Sequence, residues 1–213
     1  MLLTPEILPA LIEAAANIIE QNAEEITALD QAIGDGDHVI NLQRGLVALQ
    51  KQSPELTALT WDAALQKIGM TLMNTMGGAS GSLFGTLFVA MSKTAKGKEL
   101  DLKTFAEVFT AGVEAVKKRG KAEAGEKTML DVLIPVEKAL QKNIADSKPL
   151  PEILDDLNEI AIQGMESTRD MIATKGRASF MAERTQGHID AGAKTSQLMI
   201  TAIITLLAST YVV

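Results

Sequence analysis

The chain has 213 residues and a net charge of −7; its pI is near 4.9. With no basic cluster, this balance excludes nucleic acid as the main partner. It has no cysteine, which excludes a disulfide framework and thiolate chemistry. Hydrophobic residues make up 46% but aromatics only 3%, so aliphatic side chains and ten methionines must pack the core, a composition that favours helices over sheets.

In chain order, Met-Leu-Leu-Thr-Pro-Glu lacks the basic segment of a secretory signal, so a cytoplasmic location is the expectation. A first helix is predicted over 5–29, with Thr4 as N-cap and Pro5 at the first helical position. Further helices are expected over 38–51, ending before Ser53-Pro54, and over 60–76, stopping at Gly77-Gly78. Next come 79–93, followed by Gly97, then 102–118, 128–144, 150–173 and 192–209. No segment alternates with period two, so no sheet is expected, and the eight stretches read as one all-α domain over 1–213. The apolar tail 198–213 is shorter than the roughly 20 residues a membrane span needs. It is also interrupted by Thr201, Thr205, Ser209 and Thr210 and lacks basic flanks. It is expected as a buried stave of a bundle, not a membrane span. Gly81-Ser82-Leu83-Phe84-Gly85, among charged helices, is expected to mark a close helix contact.

Between the first two helices, Leu29-Asp30-Gln31-Ala32-Ile33-Gly34-Asp35-Gly36-Asp37-His38 gathers three carboxylates around two glycines. Crowded carboxylates repel one another, a cost that a divalent cation offsets. Gly36 lets Asp35 and Asp37 converge, and Asp30 returns from the end of the preceding helix. The closing glutamate of a Ca²⁺ loop is missing, so Mg²⁺ sharing a phosphate ligand fits better. In the structural alternative, Asp37 caps the next helix while Asp30 and Asp35 are solvated turn residues.

Gly77-Gly78-Ala79-Ser80-Gly81 opens an apolar helix, where free N–H groups and the Ser80 hydroxyl can face an anion; a tight interhelical turn is the alternative. Gly120-Lys121-Ala122-Glu123-Ala124-Gly125-Glu126-Lys127-Thr128 is not a Walker A loop, because Glu126 intrudes before the lysine and a helix precedes it. It reads as a mobile polar loop with two lysines, ending in a threonine that can cap the next helix. The polar connection through Lys175-Gly176-Arg177-Ala178-Ser179-Phe180, Glu183-Arg184 and Gly187-His188-Ile189-Asp190-Ala191-Gly192-Ala193 is longer than helix links normally are. Arg177 could neutralise phosphate, or pair with Glu183 at the surface. Asp190 and Gly192 could meet a ribose, a base or a phosphate at the start of the last helix.

Taken together, these stretches resemble the nucleotide-binding L subunit of bacterial dihydroxyacetone kinases. The resemblance runs through Leu-Asp-Gln-Ala-Ile-Gly-Asp-Gly-Asp-His with Asn41 and Arg44, and Gly-Gly-Ala-Ser-Gly with Leu83-Phe84-Gly85-Thr86. It continues in Arg119-Gly120-Lys121-Ala122 with Gly125-Glu126-Lys127-Thr128-Met129-Leu130-Asp131, then in Lys175-Gly176-Arg177-Ala178 with Glu183-Arg184 and Gly187-His188-Ile189-Asp190. It implies a barrel of eight antiparallel amphipathic helices with the nucleotide at one rim. Asp30, Asp35 and Asp37 would hold two Mg²⁺ against the phosphates of ADP or ATP. The nucleotide contacts would be His38, Asn41, Ala79, Ser80, Gly120, Met129, Arg177, Asp190 and Gly192. Ala191 departs from the family, where a proline is expected.

The implied chemistry is phosphoryl transfer, with Arg177 screening charge on the moving group. No general base is evident, as expected if dihydroxyacetone is held on a histidine of a separate K subunit. A phosphotransferase-type M subunit would rephosphorylate the bound ADP. Two other classes stay open. A metal-dependent phosphohydrolase would add His38 and His188 to the aspartates. A regulatory nucleotide-binding module would use the same residues and touch a transcription factor.

Overall fold

The computed structural model describes residues 2–212. The elements are β1 (Leu2–Leu3), a 3-10 turn (Pro5–Ile7), α1 (Leu8–Gln21), α2 (Ala23–Ile33), α3 (His38–Leu56), α4 (Trp61–Thr75) and α5 (Gly78–Ala95). They continue with β2 (Leu100–Asp101), α6 (Leu102–Gly120), α7 (Leu130–Ala145) and α8 (Leu150–Ser167). Two further 3-10 segments (Thr168–Asp170 and Ala178–Thr185) lead to α9 (Ala191–Tyr211). The all-α expectation holds, with nine α-helices among the described residues where eight were expected.

The extra helix comes from a break at Asn22. Its side-chain amide donates to Ile18 O at 2.7 Å, competing with the helical ladder, and its backbone leaves helical geometry. α2 then runs beyond Leu29 to Ile33, so Asp30 sits in a helical last turn and the acidic loop shrinks to Gly34–Asp37. α3 in turn passes through Ser53-Pro54, where an end was expected. Proline removes the donor to Gln50 O, and the Ser53 hydroxyl supplies one at 2.9 Å.

The absence of sheet needs a small correction, because β1 and β2 pair antiparallel with Leu2 opposite Asp101 and Leu3 opposite Leu100. Each strand is two residues long, too short for any periodicity to register. Trp61 anchors the pair by donating from its indole to Leu3 O at 2.8 Å.

Helix contacts follow a cyclic order: α1 on α3, then α3 on α4 and so on through α8 on α9, with α9 returning to α1. α2 sits against α3 and α9. Ile19, Ile26, Leu42, Leu56, Val108, Val113 and Leu130 form the main core, with a second cluster around Val132, Leu140, Ile153 and Ala161. Phe105 and Phe109, stacked with centroids 5.9 Å apart, pack against both. The expected close contact at Gly81 and Gly85 is present. A side chain at Gly85 would fall 2.3 Å from Met73 Cγ, and one at Gly81 would fall 2.4 Å from Met76 O.

α9 is long and apolar enough to cross a membrane, yet it packs on α1 and α8 as a core helix. The expected stave is present, but its burial is uneven. The start, including Thr195, Ser196 and Gln197, is buried, whereas Ile203, Ile204, Leu206 and Leu207 are only half-buried. Val213 lies outside the described residues.

Candidate functional site

The acidic segment is shaped by its own side chains. Asp30 accepts from His38 N at 3.1 Å, so this aspartate, from the last turn of α2, satisfies a free donor at the start of α3. Asp37 precedes α3 but makes no side-chain capping bond, which removes its alternative role. Gly36 has φ +76, a conformation that favours glycine and lets the chain reverse between Asp35 and Asp37. Each aspartate offers one oxygen, and these oxygens lie within 4.8 Å of one another. An all-oxygen anionic set suits a hard divalent cation, so the residues fit Mg²⁺. Arg177 forms an ion pair with Asp35, not with Glu183.

His38 crosses to the other side of this wall. Ser80 Oγ lies 3.0 Å from its Nδ1 and Thr195 Oγ1 3.1 Å from its Nε2. Burial pulls the imidazole below its usual pKa, while Asp30 and Asp37 draw it back up. Both ring nitrogens are engaged, which leaves His38 a poor metal ligand and weakens the phosphohydrolase alternative. Ser80 stands in the first turn of α5, which opens at Gly78 with φ +66. Gly77 lies against Asn41, whose Oδ1 would be 2.4 Å from an added Cβ.

The opposite wall comes from the α6–α7 loop and the connection between α8 and α9. The loop is folded, contrary to the expectation of a mobile segment. Asp131 is buried and accepts from Gly125 N and Thr128 N, while the Thr128 hydroxyl accepts from Leu130 N at 3.1 Å as a cap. Lys127 is only 1% exposed, and its ammonium donates to Thr168 O and His188 O. Burial pulls its pKa down; Asp190, Asp131 and Asp170 oppose that shift. These contacts end α8 at Ser167, short of the expected Ala173, because Thr168 turns inward. Its hydroxyl donates to Met165 O at 2.7 Å and accepts from Asp190 N at 3.1 Å. Asp190 caps α9 by accepting from Ala193 N at 2.8 Å. Burial pushes its carboxyl up to about 6 despite that bond.

All twelve residues singled out from the sequence line one cavity of about 520 Å³: Asp30, Asp35, Asp37, His38, Asn41, Ala79, Ser80, Gly120, Met129, Arg177, Asp190 and Gly192. Leu83, Phe84, Val116, Ala122 and Leu130 add an apolar surface that sequence reading did not assign to the site. Lys127, Asp131 and Thr195 were also missed. No local pattern distinguished Lys127 from a surface lysine. A Cβ at Gly120 would meet nothing closer than Leu83 Cδ2 at 3.5 Å, so internal packing does not demand glycine there.

The DAK2 domain model matches residues 32–205. The chain is 42% identical over 186 residues to the PEP-dependent dihydroxyacetone kinase 1, ADP-binding subunit DhaL, of Listeria innocua, covering 87% of this chain and 88% of that protein. It is 37% identical to the corresponding Escherichia coli subunit, covering 86% and 88%. The crystal structure of the C. freundii dihydroxyacetone kinase superposes with a TM-score of 0.73 at 23% identity, over 94% of this chain but 34% of that one. A second crystal structure of that kinase, in complex with AMP-PNP and Mg²⁺, likewise gives 0.73 at 22% identity, over 97% and 35%. These two likenesses speak for the fold. The family match and the near full-length relatives place the chain in the DAK2-domain family, among the DhaL-type L subunits of PEP-dependent dihydroxyacetone kinases.

Proposed function

We propose that this chain is the nucleotide-binding subunit of a dihydroxyacetone kinase, a single domain over 1–213 acting in the cytoplasm. It would hold ADP or ATP with two Mg²⁺ at one rim of a helical barrel, a reading that the cyclic helix order supports. The observation that carries the proposal is convergence: twelve residues from separate parts of the chain surround one cavity, with three carboxylates beside an arginine and a glycine-rich helix start. The ADP-binding relatives supply the nucleotide's identity.

Asp30, Asp35 and Asp37 would hold the magnesium ions, whose chemistry when bound is to screen the phosphate oxygens. The first-turn N–H groups of α5 and the Ser80 hydroxyl would receive the phosphates at the positive end of the helix dipole. Met129 with Leu83, Val116 and Ala122 offers the base an apolar surface, while Gly120 leaves room beside it. Asp190 and Gly192 lie at the start of α9, within reach of ribose or phosphate. Arg177 is mostly exposed, and its planar fork can move from Asp35 to the oxygens of the transferring phosphoryl group. The acceptor, dihydroxyacetone, would arrive bound to the K subunit, and the M subunit would recharge ADP in place.

The test combines the purified chain with K and M subunits, phosphoenolpyruvate and dihydroxyacetone. The expected result is phosphorylated dihydroxyacetone with nucleotide supplied only in amounts stoichiometric with this chain. Nucleotide binding without transfer to any acceptor would instead make it a regulatory module.

A further inference from the structure

Lys127 is among the largest fully buried side chains, and its charge is directed at two carbonyls twenty residues apart. Burying an ammonium is costly, and an aliphatic side chain would fill the space at lower cost. What an aliphatic residue cannot do is donate to Thr168 O and His188 O together. These carbonyls stand at the two ends of the connection that carries Arg177. The ends are drawn together further by Gly187 N donating to Arg169 O at 2.8 Å.

The preceding residue holds the middle of the same connection. Glu126 accepts from the Thr174 hydroxyl at 2.9 Å and pairs with Lys175 at 3.2 Å, two residues before Arg177. Lys127 itself has φ 60, a left-handed backbone rare outside glycine. Asp131 secures the loop around it by accepting from Gly125 N and Thr128 N. A non-glycine residue persists in such a conformation only where its surroundings enforce it. Arg177 has a side chain 67% exposed and aimed by its ion pair with Asp35. Its reach toward Asp35 depends on where its backbone is held.

We propose that Lys127 is a positioning residue, which closes the 168–190 connection from the α6–α7 loop and thereby keeps Arg177 over the carboxylate cluster. The inference rests on the nucleotide reading above for its functional consequence, but not for the closure itself.

The test is a double-mutant cycle on the full chain, using Lys127→Met, Arg177→Ala and the pair, read by calorimetric titration with Mg-ADP. If Lys127 acts through Arg177, the effects are not additive. We expect about tenfold weaker binding for Lys127→Met, about fivefold for Arg177→Ala, and about tenfold, not about fiftyfold, for the pair. Hydrogen exchange should rise across 169–187 in Lys127→Met and stay unchanged in α4 and α5. Additive losses, or unchanged exchange in the connection, overturn the proposal. If Lys127→Met does not fold, Lys127→Gln, which keeps a donor without the charge, enters the same cycle. A wild-type chain without affinity for Mg-ADP would remove the nucleotide reading, while the exchange measurement would still decide the closure.

Discussion

The two walls of the cavity are built on different plans. In one wall the acidic segment from Asp30 to Asn41 is assembled from near neighbours in sequence, since Asp30 caps the helix that begins eight residues later, and His38 and Asn41 then tie it to Gly77 and Ser80. Its carboxylates are exposed or half-buried. The other wall joins the α6–α7 loop to the start of α9, and its central bonds span 41 and 61 residues. Lys127, Asp131 and Thr168 in it are buried. On the proposed reading, the first wall would supply charge for a cation and a phosphate, and the second would set where the arginine and the start of α9 stand.

If that division is right, neutralising the first wall should remove function without unfolding. Asp35→Asn and Asp37→Asn are each expected to abolish Mg-dependent nucleotide binding in calorimetry. Thermal stability should hold or rise, because repulsion among the carboxylates falls. Unchanged affinity in both variants would return these residues to turn roles.

Arg177 joins the two walls, so it should affect the reaction more than assembly. Arg177→Lys is expected to lower turnover with the K subunit by on the order of ten- to a thousandfold, because a lysine cannot reproduce the planar fork. Binding to the K subunit, measured separately, should persist. Normal turnover would leave Arg177 as a surface partner of Asp35.

In the second wall, the groups that set geometry should also burden stability. Asp190 has its carboxyl pushed up to about 6 by burial. The folded chain therefore keeps a proton that the unfolded chain loses between roughly pH 4 and 6. The stabilising contribution is full below that window and is lost as pH rises through 6. Asp190→Asn should flatten this slope and stabilise the nucleotide-free protein at pH 7 by up to about 2 kcal/mol in urea titrations. An unchanged slope would mean that Lys127 compensates the buried charge.

The smallest expected effect is at Gly120, where packing leaves room for a methyl group. Gly120→Ala should keep stability within about 0.5 kcal/mol. It should also weaken Mg-ADP binding by a few-fold to about tenfold, corresponding to roughly 1 kcal/mol of steric conflict. Equal affinity would move the nucleotide away from the end of α6.

The first wall was legible because its chemistry is local: three aspartates, two glycines and a helix start identify themselves within a short stretch. The second was legible only in part. Thr128 could be read as a cap, since its partner is two residues away. Lys127 looked like a loop lysine because its acceptors are backbone carbonyls, which no side-chain pattern reveals. The same limit applies to the fold. Helical periodicity located most helices, but it could not foresee that Ser53 would compensate for Pro54 or that Asn22 would split the first helix. The polar start of α9 was buried by contacts from distant residues, such as Thr195 with His38, that its own apolar pattern does not encode.

The most direct test of the central claim, that both walls close on one Mg-nucleotide, is a melting scan of the full chain with ADP, in Mg²⁺ and in EDTA. Ligand at about a hundred times its dissociation constant should add roughly 2.7 kcal/mol, and chelation should remove most of that gain. No shift at saturating Mg-ADP, with Mg-ATP tested alongside, would contradict it.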